Sequence, residues 1–185
     1  MTFAPDRLLA TLGRHGVEFV VIGGLAATIH GSTLVTFDVD VTPRRSRDNL
    51  ARLSEAMTEL GARVRDHAGG PGLPFNHDAA SLDDAQMWNL TTDVGDLDLS
   101  FVPAGTRGFD DLVRDAVRVD IGAVTLLVAS LADVIRSKEA AGREKDRAAL
   151  PLLRKLLAEV TGQAPAPPPA PGDPPHRETP NRRSP

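Results

Sequence analysis

The chain has 185 residues, a length at which one domain is expected, and it contains no cysteine. The absence of cysteine excludes disulfide scaffolds, thiolate zinc sites, iron–sulfur clusters and cysteine nucleophiles. The 21 basic and 25 acidic side chains give a net charge of −4, which excludes a globally basic nucleic-acid-binding module but leaves room for a local basic patch.

We predict a helix, a strand, a second helix and a second strand in the first part of the chain. In order these are a helix over residues 5–14, a strand over 19–22, a helix over 25–30 after a glycine pair, a strand over 36–41, and a helix between Ser46 and Gly61. In the second strand Phe37, Val39 and Val41 alternate with two aspartates. Alternation predicts that these three face the core and that Asp38 and Asp40 share the other face.

The second part of the chain continues the mixture of strands and helices. We predict a surface loop over residues 67–80, strands over 86–92 and 97–102, a helix over 109–117, one or two short strands within 119–128, and helices over 131–141 and 145–160. Alternation in the 97–102 strand places Asp98 away from the core. This order predicts an α/β (α+β) domain with a mixed sheet of about five strands, flanked by helices and closed by C-terminal helices.

The last 23 residues differ in composition from the rest. Residues 163–185 hold nine of the fifteen prolines and no apolar side chain larger than alanine, so burial cannot offset the entropy of ordering them. We therefore predict one folded domain over residues 1–162 and a disordered, proline-rich tail. No segment approaches the roughly 18 uninterrupted apolar residues of a membrane span, and we expect a cytoplasmic protein without a membrane partner.

Three aspartates are the first candidates for a functional site. Asp38 and Asp40 stand at i and i+2 on one strand, and Asp98 joins them if the two strands are neighbours. Such carboxylates repel one another unless cations lie between them, and oxygen ligands suit Mg²⁺ or Mn²⁺. Two such ions can clamp the attacking and leaving oxygens of a phosphoryl displacement. An isolated Asp-x-Asp pair more often only faces solvent, so the surrounding sequence must show whether this pair binds metal.

The glycine pair Gly23 and Gly24 supplies that context. It lies directly after a strand and before a helix, where free backbone N–H groups form an anion site. A glycine pair alone is usually only a tight turn, but a phosphate cradle followed by a metal-binding aspartate pair is what a nucleoside triphosphate needs. The sequence has no phosphate loop, dinucleotide fingerprint or nucleophile elbow, which leaves kinases, dehydrogenases and hydrolases without a starting motif.

The segments Val21–Gly24 and Asp38–Val41, followed by a later strand with Asp98, resemble the signature of the DNA-polymerase-β-like nucleotidyltransferase superfamily. With the closing segments Leu131–Lys138 and Arg143–Asp146, the chain more narrowly resembles the minimal AbiEii-type branch, which includes toxins of toxin–antitoxin systems. The resemblance spans roughly residues 17–155. It implies transfer of NMP from an NTP to an acceptor hydroxyl, with Mg²⁺ or Mn²⁺ in an active site at the sheet edge.

The resemblance also implies a role for each matching residue and a set of partners. Gly23 and Gly24 would bind the triphosphate through backbone N–H groups, and Asp38 and Asp40 would bind two Mg²⁺ ions. Asp98 would ligate the catalytic ion and help to deprotonate the acceptor hydroxyl. The first candidate for the acceptor is the 3′ end of a tRNA, and a cognate antitoxin is a possible partner; a protein or a small molecule could supply the hydroxyl instead.

The closing helical segments complete the predicted site. The resemblance implies that Lys138 contacts the triphosphate and that Asp146 is a further catalytic carboxylate. Residues 136–155 hold seven basic and three acidic side chains, a local positive face that suits phosphate unless it is only a solvated helix surface. Relatives often have an arginine where this chain has Leu34. That departure keeps open a second hypothesis, a non-catalytic nucleotide-binding or interaction module with the same fold.

Overall fold

The computed structural model describes residues 3–66, 70–121 and 124–162, so the predicted tail over 163–185 lies outside the described residues. Within these ranges no helix is long and apolar enough to cross a membrane. The elements in chain order are α1 Pro5–Arg14, β1 Phe19–Ile22, α2 Gly23–Ile29, β2 Asp38–Pro43, α3 Arg47–Glu59, β3 Arg63–Val64, α4 Ala79–Asp84, β4 Met87–Thr92, β5 Gly95–Ser100, α5 Phe109–Leu112, β6 Val117–Ile121, β7 Val124–Val128, α6 Leu131–Ala141 and α7 Glu144–Thr161.

All described strands form one mixed sheet in the order β3-β4-β5-β2-β1-β7-β6. The strands β2 and β5 pair in parallel near its centre, and β2 pairs with β1 in the antiparallel direction. The predicted α/β class with a mixed sheet flanked by helices is therefore confirmed, with seven described strands instead of about five. The expectation of a site at the sheet edge is wrong, because the aspartate-bearing strands are central.

The core lies on the face of β2 and β5 that is opposite the aspartates. Val39, Val41, Leu97 and Leu99 are all fully buried there, as alternation along a strand requires. Phe37 is not part of this face, contrary to the prediction, and its side chain is 75% exposed. The strand begins only at Asp38, so the alternation that the sequence shows does not extend to residue 37.

The prediction of helix over residues 109–117 is wrong in its second half. α5 ends at Leu112, and Val117 already belongs to the hairpin that β6 makes with β7. Residues 117–121 alternate with a period of two, and their pairing with a neighbouring strand outweighs a weak local preference for helix. The hairpin also accounts for the one or two short strands predicted within 119–128, of which there are two.

Two short elements were not predicted. The strand β3 has only two residues, too few to show alternation, and is defined by its pairing with β4. The helix α4 begins at Ala79, inside the predicted loop over 67–80. Asp78 caps it: its carboxylate accepts a hydrogen bond from the backbone N–H of Ser81, and the Ser81 hydroxyl accepts one from the Asp78 backbone N–H. This capping box is the local signal for the helix.

A buried amide joins β1 to β2, the strand that carries Asp38 and Asp40. Asn49 is fully buried on α3, and its Oδ1 accepts a hydrogen bond of 2.7 Å from the backbone N–H of Glu18. Its Nδ2 donates to the backbone oxygens of Glu18 and Arg44, each at 2.9 Å. These residues precede β1 and follow β2, so the amide holds the register in which Ile22 lies beside Asp40.

Candidate active site

Three carboxylates meet at the centre of the sheet. The parallel register places Asp40 directly beside Asp98, with Asp38 two residues before Asp40 on the same face. One carboxylate oxygen from each of the three lies within 4.8 Å of the other two. All three side chains are partly buried and line a cavity of about 720 Å³. The structure thus brings together the residues that the sequence analysis singled out.

The crowding of the carboxylates changes their protonation. Burial, followed by the negative charges of Asp38 and Asp98, raises the pKa of Asp40 from 3.8 to about 7. A hydrogen bond from the Gly24 backbone N–H and the positive charge of Lys145 oppose this rise. Burial also raises the pKa of Asp98, against the attraction of Arg65. The cluster holds its negative charge only at a cost that a bound cation would remove.

Gly23 allows Asp40 to reach the start of α2. Gly23 has φ +66°, and a Cβ built on it would lie 2.0 Å from Oδ2 of Asp40. A Cβ on Gly24 would lie 2.7 Å from Oγ1 of Thr36. Close packing therefore favours glycine at both positions, against Asp40 at Gly23 and against Thr36 at Gly24. Its role toward a triphosphate remains a prediction.

The loop before β2 contributes one polar and one apolar group to the cavity. The Thr36 hydroxyl donates a hydrogen bond of 2.5 Å to Oδ1 of Asp38 and so orients that carboxylate. Leu34, at the position where an arginine was expected from the resemblance, lines the same cavity and is 39% exposed. Its neighbour Val35 is also exposed and lines the cavity. An apolar rim thus occupies this side.

The basic wall of the cavity comes from α6 and α7. Lys138, Arg143 and Lys145 line the cavity. Asp146 lies fully buried behind them and accepts from Nζ of Lys138 at 3.0 Å and from Nε of Arg143 at 2.6 Å. Burial alone would raise the pKa of Asp146, but these two cations lower it overall. Asp146 is not among the described residues that line the cavity, which indicates that it anchors this wall.

Most of the predicted basic face is neutralised by neighbouring acids. Described ion pairs join Arg136 to Asp111 and Asp133, Arg154 to Glu139, and Lys155 to Glu159. Lys145 is the exception among the lysines: its ammonium makes no hydrogen bond or ion pair with any residue in the described ranges. It nevertheless lines the cavity and acts electrostatically on Asp40. Lys145 is therefore a cation available to a ligand.

Arg65 is a residue of the site that the sequence analysis missed. It follows β3, and its Nη2 lies 2.8 Å from Oδ1 of Asp98 while its Nε lies 3.2 Å from Oδ2 of Asp96. Nη2 also donates to the backbone oxygen of Leu90 at 3.1 Å. The alternation of Arg63, Val64 and Arg65 is the only local signal. It cannot show that a two-residue strand places Arg65 over β5.

Comparison with known proteins identifies the fold. No protein-family model matches the sequence, and a comparison with curated proteins gives no match. The crystal structure of the lincosamide antibiotic adenylyltransferase LnuA, bound to lincomycin, is 12% identical, with a TM-score of 0.55 over 84% of this chain and 98% of LnuA. The solution structure of the antibiotic-resistance factor ANT(2″)-Ia is 14% identical, with a TM-score of 0.53 over 84% of this chain and 83% of that protein. The chain therefore has the nucleotidyltransferase fold.

The raised pKa of Asp40 predicts a loss of stability at rising pH when no divalent cation is present. The pKa of Asp40 is ordinarily 3.8 and is about 7 in the folded protein. Between these two pH values the folded state binds a proton that the unfolded state has lost, which stabilises the folded state. This stabilisation is lost as the pH rises through about 7. In EDTA, we expect the free energy of unfolding measured with urea to fall by about 2 to 3 kcal/mol between pH 5 and pH 8. Asp40→Asn should show a much smaller fall; an equal fall in both proteins would contradict this origin.

Substitution of Gly23 should disrupt the acidic cluster beyond its backbone strain. A left-handed backbone costs a residue with a Cβ about 1 to 2 kcal/mol, and at position 23 the Cβ also collides with Asp40. Gly162 is a matched control, since its φ is +67° and nothing lies within 4 Å of a Cβ built there. We expect urea unfolding to show a clearly larger loss for Gly23→Ala than for Gly162→Ala. Equal losses would mean that close approach to Asp40 is unimportant.

Proposed function

We propose that this protein is a metal-dependent nucleotidyltransferase, which transfers NMP from a nucleoside triphosphate to an acceptor hydroxyl. The observation that carries the proposal is one cavity with an acidic wall from the strands and a basic wall from the helices. A triphosphate with divalent cations has this same division of charge. The shared fold with the adenylyltransferase LnuA supports the proposal.

The acidic wall fits divalent cations. Asp38, Asp40 and Asp98 offer only oxygen ligands, the donors that Mg²⁺ and Mn²⁺ prefer, and their oxygens are grouped within 4.8 Å. Asp38 and Asp40 would hold the ions, and Asp98 would share one of them. When bound, the ions would supply neutralisation of the charge on the transferring phosphate.

The protein's own residues would position the two substrates. The backbone N–H groups of Gly23 and Gly24 would face the triphosphate, together with Lys138 and Lys145. The Gly24 N–H, which donates to Asp40, would exchange that carboxylate for a phosphate oxygen. Asp98 would accept the proton of the acceptor hydroxyl. The hydroxyl oxygen forms a bond to the α-phosphorus, the bond from that phosphorus to the bridging oxygen breaks, and pyrophosphate leaves with the electron pair.

Two classes of acceptor have support. The resemblance to AbiEii-type proteins supports the 3′ end of a tRNA, with the chain acting as a toxin that a cognate antitoxin restrains. The small-molecule alternative is supported by the antibiotic adenylyltransferase LnuA, which shares the fold. It is also favoured by the cavity lining, where Lys145 is the one described cation without an ion pair, because an RNA backbone is held mainly by contacts between basic side chains and phosphates. In both cases the reaction at the phosphate is the same.

Label transfer from NTP tests the proposed function. The protein is incubated with each α-labelled NTP, Mg²⁺ or Mn²⁺, and separate fractions of tRNA, protein and metabolites. We expect label in one fraction, and none from Asp38→Ala/Asp40→Ala. The matched control is Asp84→Ala/Asp115→Ala, which removes two exposed carboxylates that lie outside the cavity and should remain active.

The outcome of this assay separates the hypotheses. Label in the tRNA fraction identifies the toxin-like activity, and label in the metabolite or protein fraction identifies another hydroxyl. If no NTP transfers label to any fraction, the catalytic proposal is wrong. A non-catalytic module would then remain, and Mg²⁺–NTP would still raise the melting temperature by mass action.

The two cavity lysines should differ in what they contribute. Lys145→Ala removes an exposed cation that no described residue neutralises, so we expect the KM for NTP to rise about tenfold without loss of stability. Lys138→Ala leaves the buried Asp146 with only Arg143, and we expect a loss of about 1 to 3 kcal/mol in unfolding free energy.

Lys155→Ala is the matched control for the lysine variants. Lys155 is an exposed lysine of α7 outside the cavity, with one ion pair of 3.8 Å to Glu159, so its removal should change neither quantity. Steady-state kinetics and urea unfolding of the three variants check the prediction. If Lys138→Ala and Lys145→Ala gave the same pair of changes, the division of roles would be wrong.

A further inference from the structure

The sheet register places one row of residues across the site. Ile22 at the end of β1 lies beside Asp40, Asp40 lies beside Asp98, and Asp98 lies beside Asn89 on β4. Residues that pair directly across neighbouring strands share a face of the sheet. If the triphosphate binds toward the glycine pair, as the proposed function states, Asn89 lies at the end of the row away from the triphosphate.

Hydrogen-bonding groups are free at that end of the row. Asn89, Ser100 and Met87 line the same cavity as the carboxylates, and Met87 pairs with Ser100 across β4 and β5. Within the described ranges, the Asn89 amide and the Ser100 hydroxyl make no side-chain hydrogen bond. Both residues are partly buried, whereas Met87 is 55% exposed. Polar groups placed in such a pocket can fix the orientation of a small ligand.

The charge at this end disfavours an anionic ligand. The guanidinium of Arg65 is the basic group that contacts these strands at the cavity, and it is already engaged by Asp98, Asp96 and the Leu90 carbonyl. A phosphate at this position would therefore meet carboxylates without an available cation. An amide, a hydroxyl and a thioether instead suit a neutral ring that carries hydroxyl groups.

We propose that Asn89, Ser100 and Met87 form the acceptor subsite. It would hold an uncharged, hydroxyl-bearing ring such as a sugar, with one hydroxyl beside Asp98 and an apolar edge against Met87. The amide and the hydroxyl would bind neighbouring ring hydroxyls. The terminal ribose of an RNA and a free glycoside share this chemistry, and the experiment has an arm for each source. The inference rests on the proposed function.

The test compares acceptor and nucleotide kinetics in matched variants. Asn89→Ala and Ser100→Ala are assayed with α-labelled NTP, using either deacylated total tRNA or a panel of methyl glycosides as acceptor. We expect each variant to raise the KM for the acceptor about 3- to 10-fold, as for the loss of one hydrogen bond, and to leave the KM for NTP unchanged. Gln86→Ala, which removes an exposed amide next to Met87 but outside the cavity, should change neither constant.

Label on the tRNA or on a glycoside identifies the source, and either result supports the subsite if the acceptor KM rises. An unchanged acceptor KM, or an equal rise in the KM for NTP, would overturn the inference. So would transfer to protein side chains alone, because these are not sugar hydroxyls. Unfolding free energies of the variants, measured with urea, separate a change in binding from a loss of folding.

A binding measurement keeps this inference distinct from the proposed function. If the wild-type protein transfers no label, the proposed function fails, and the subsite is then tested by the NMR signals of the Asn89 side-chain amide. A shift on addition of tRNA or glycosides, but not of Mg²⁺–NTP, would support the subsite without turnover. The absence of a shift with either acceptor, or a shift with Mg²⁺–NTP alone, would overturn it.

Discussion

Mutual repulsion among Asp38, Asp40 and Asp98 is the constraint around which this structure is built. The parallel pairing of β2 with β5 forces these carboxylates together, and burial deprives them of the water that would screen them. Two neighbouring side chains reduce the effect of that charge. The Thr36 hydroxyl donates a hydrogen bond to Asp38, and Arg65 partly neutralises Asp98. Burial, followed by the repulsion that remains, raises the pKa of Asp40. The core on the opposite face holds the strands in place against it.

Opposite this negative charge, α6 and α7 form the basic wall of the cavity, and a buried ion-pair network holds that wall in place. Asp146 is fully buried and holds Lys138 and Arg143, so two cations are fixed at the cavity by one carboxylate, and positive charge remains in excess. Lys145 adds a charge that no described residue neutralises. The two walls therefore differ in sign within one cavity. For a triphosphate with divalent cations, this separation orients the ligand as well as binding it.

The site could be predicted from the sequence to the extent that strand alternation determines it. Alternation placed Asp38, Asp40 and Asp98 away from the core, and the strand-glycine-helix order placed Gly23 and Gly24 next to them. Phe37 shows where this reasoning stops, because alternation has meaning only where a strand has formed. The strand over residues 117–121 and the two-residue β3 are set by pairing with distant segments, which local preference cannot reveal.

What the sequence by itself determined is the kind of chemistry: oxygen ligands without thiols, a glycine pair before them, and basic residues late in the chain. Only the tertiary structure decided which of these groups are free to act. Ion pairs between residues on different elements occupy Arg65 and Lys138, and they leave Lys145 open. The lateral order of the strands likewise places Asn89 beside Asp98. Electrostatic pairing acts through space over a few ångströms, so a linear sequence carries the charges but not their partners.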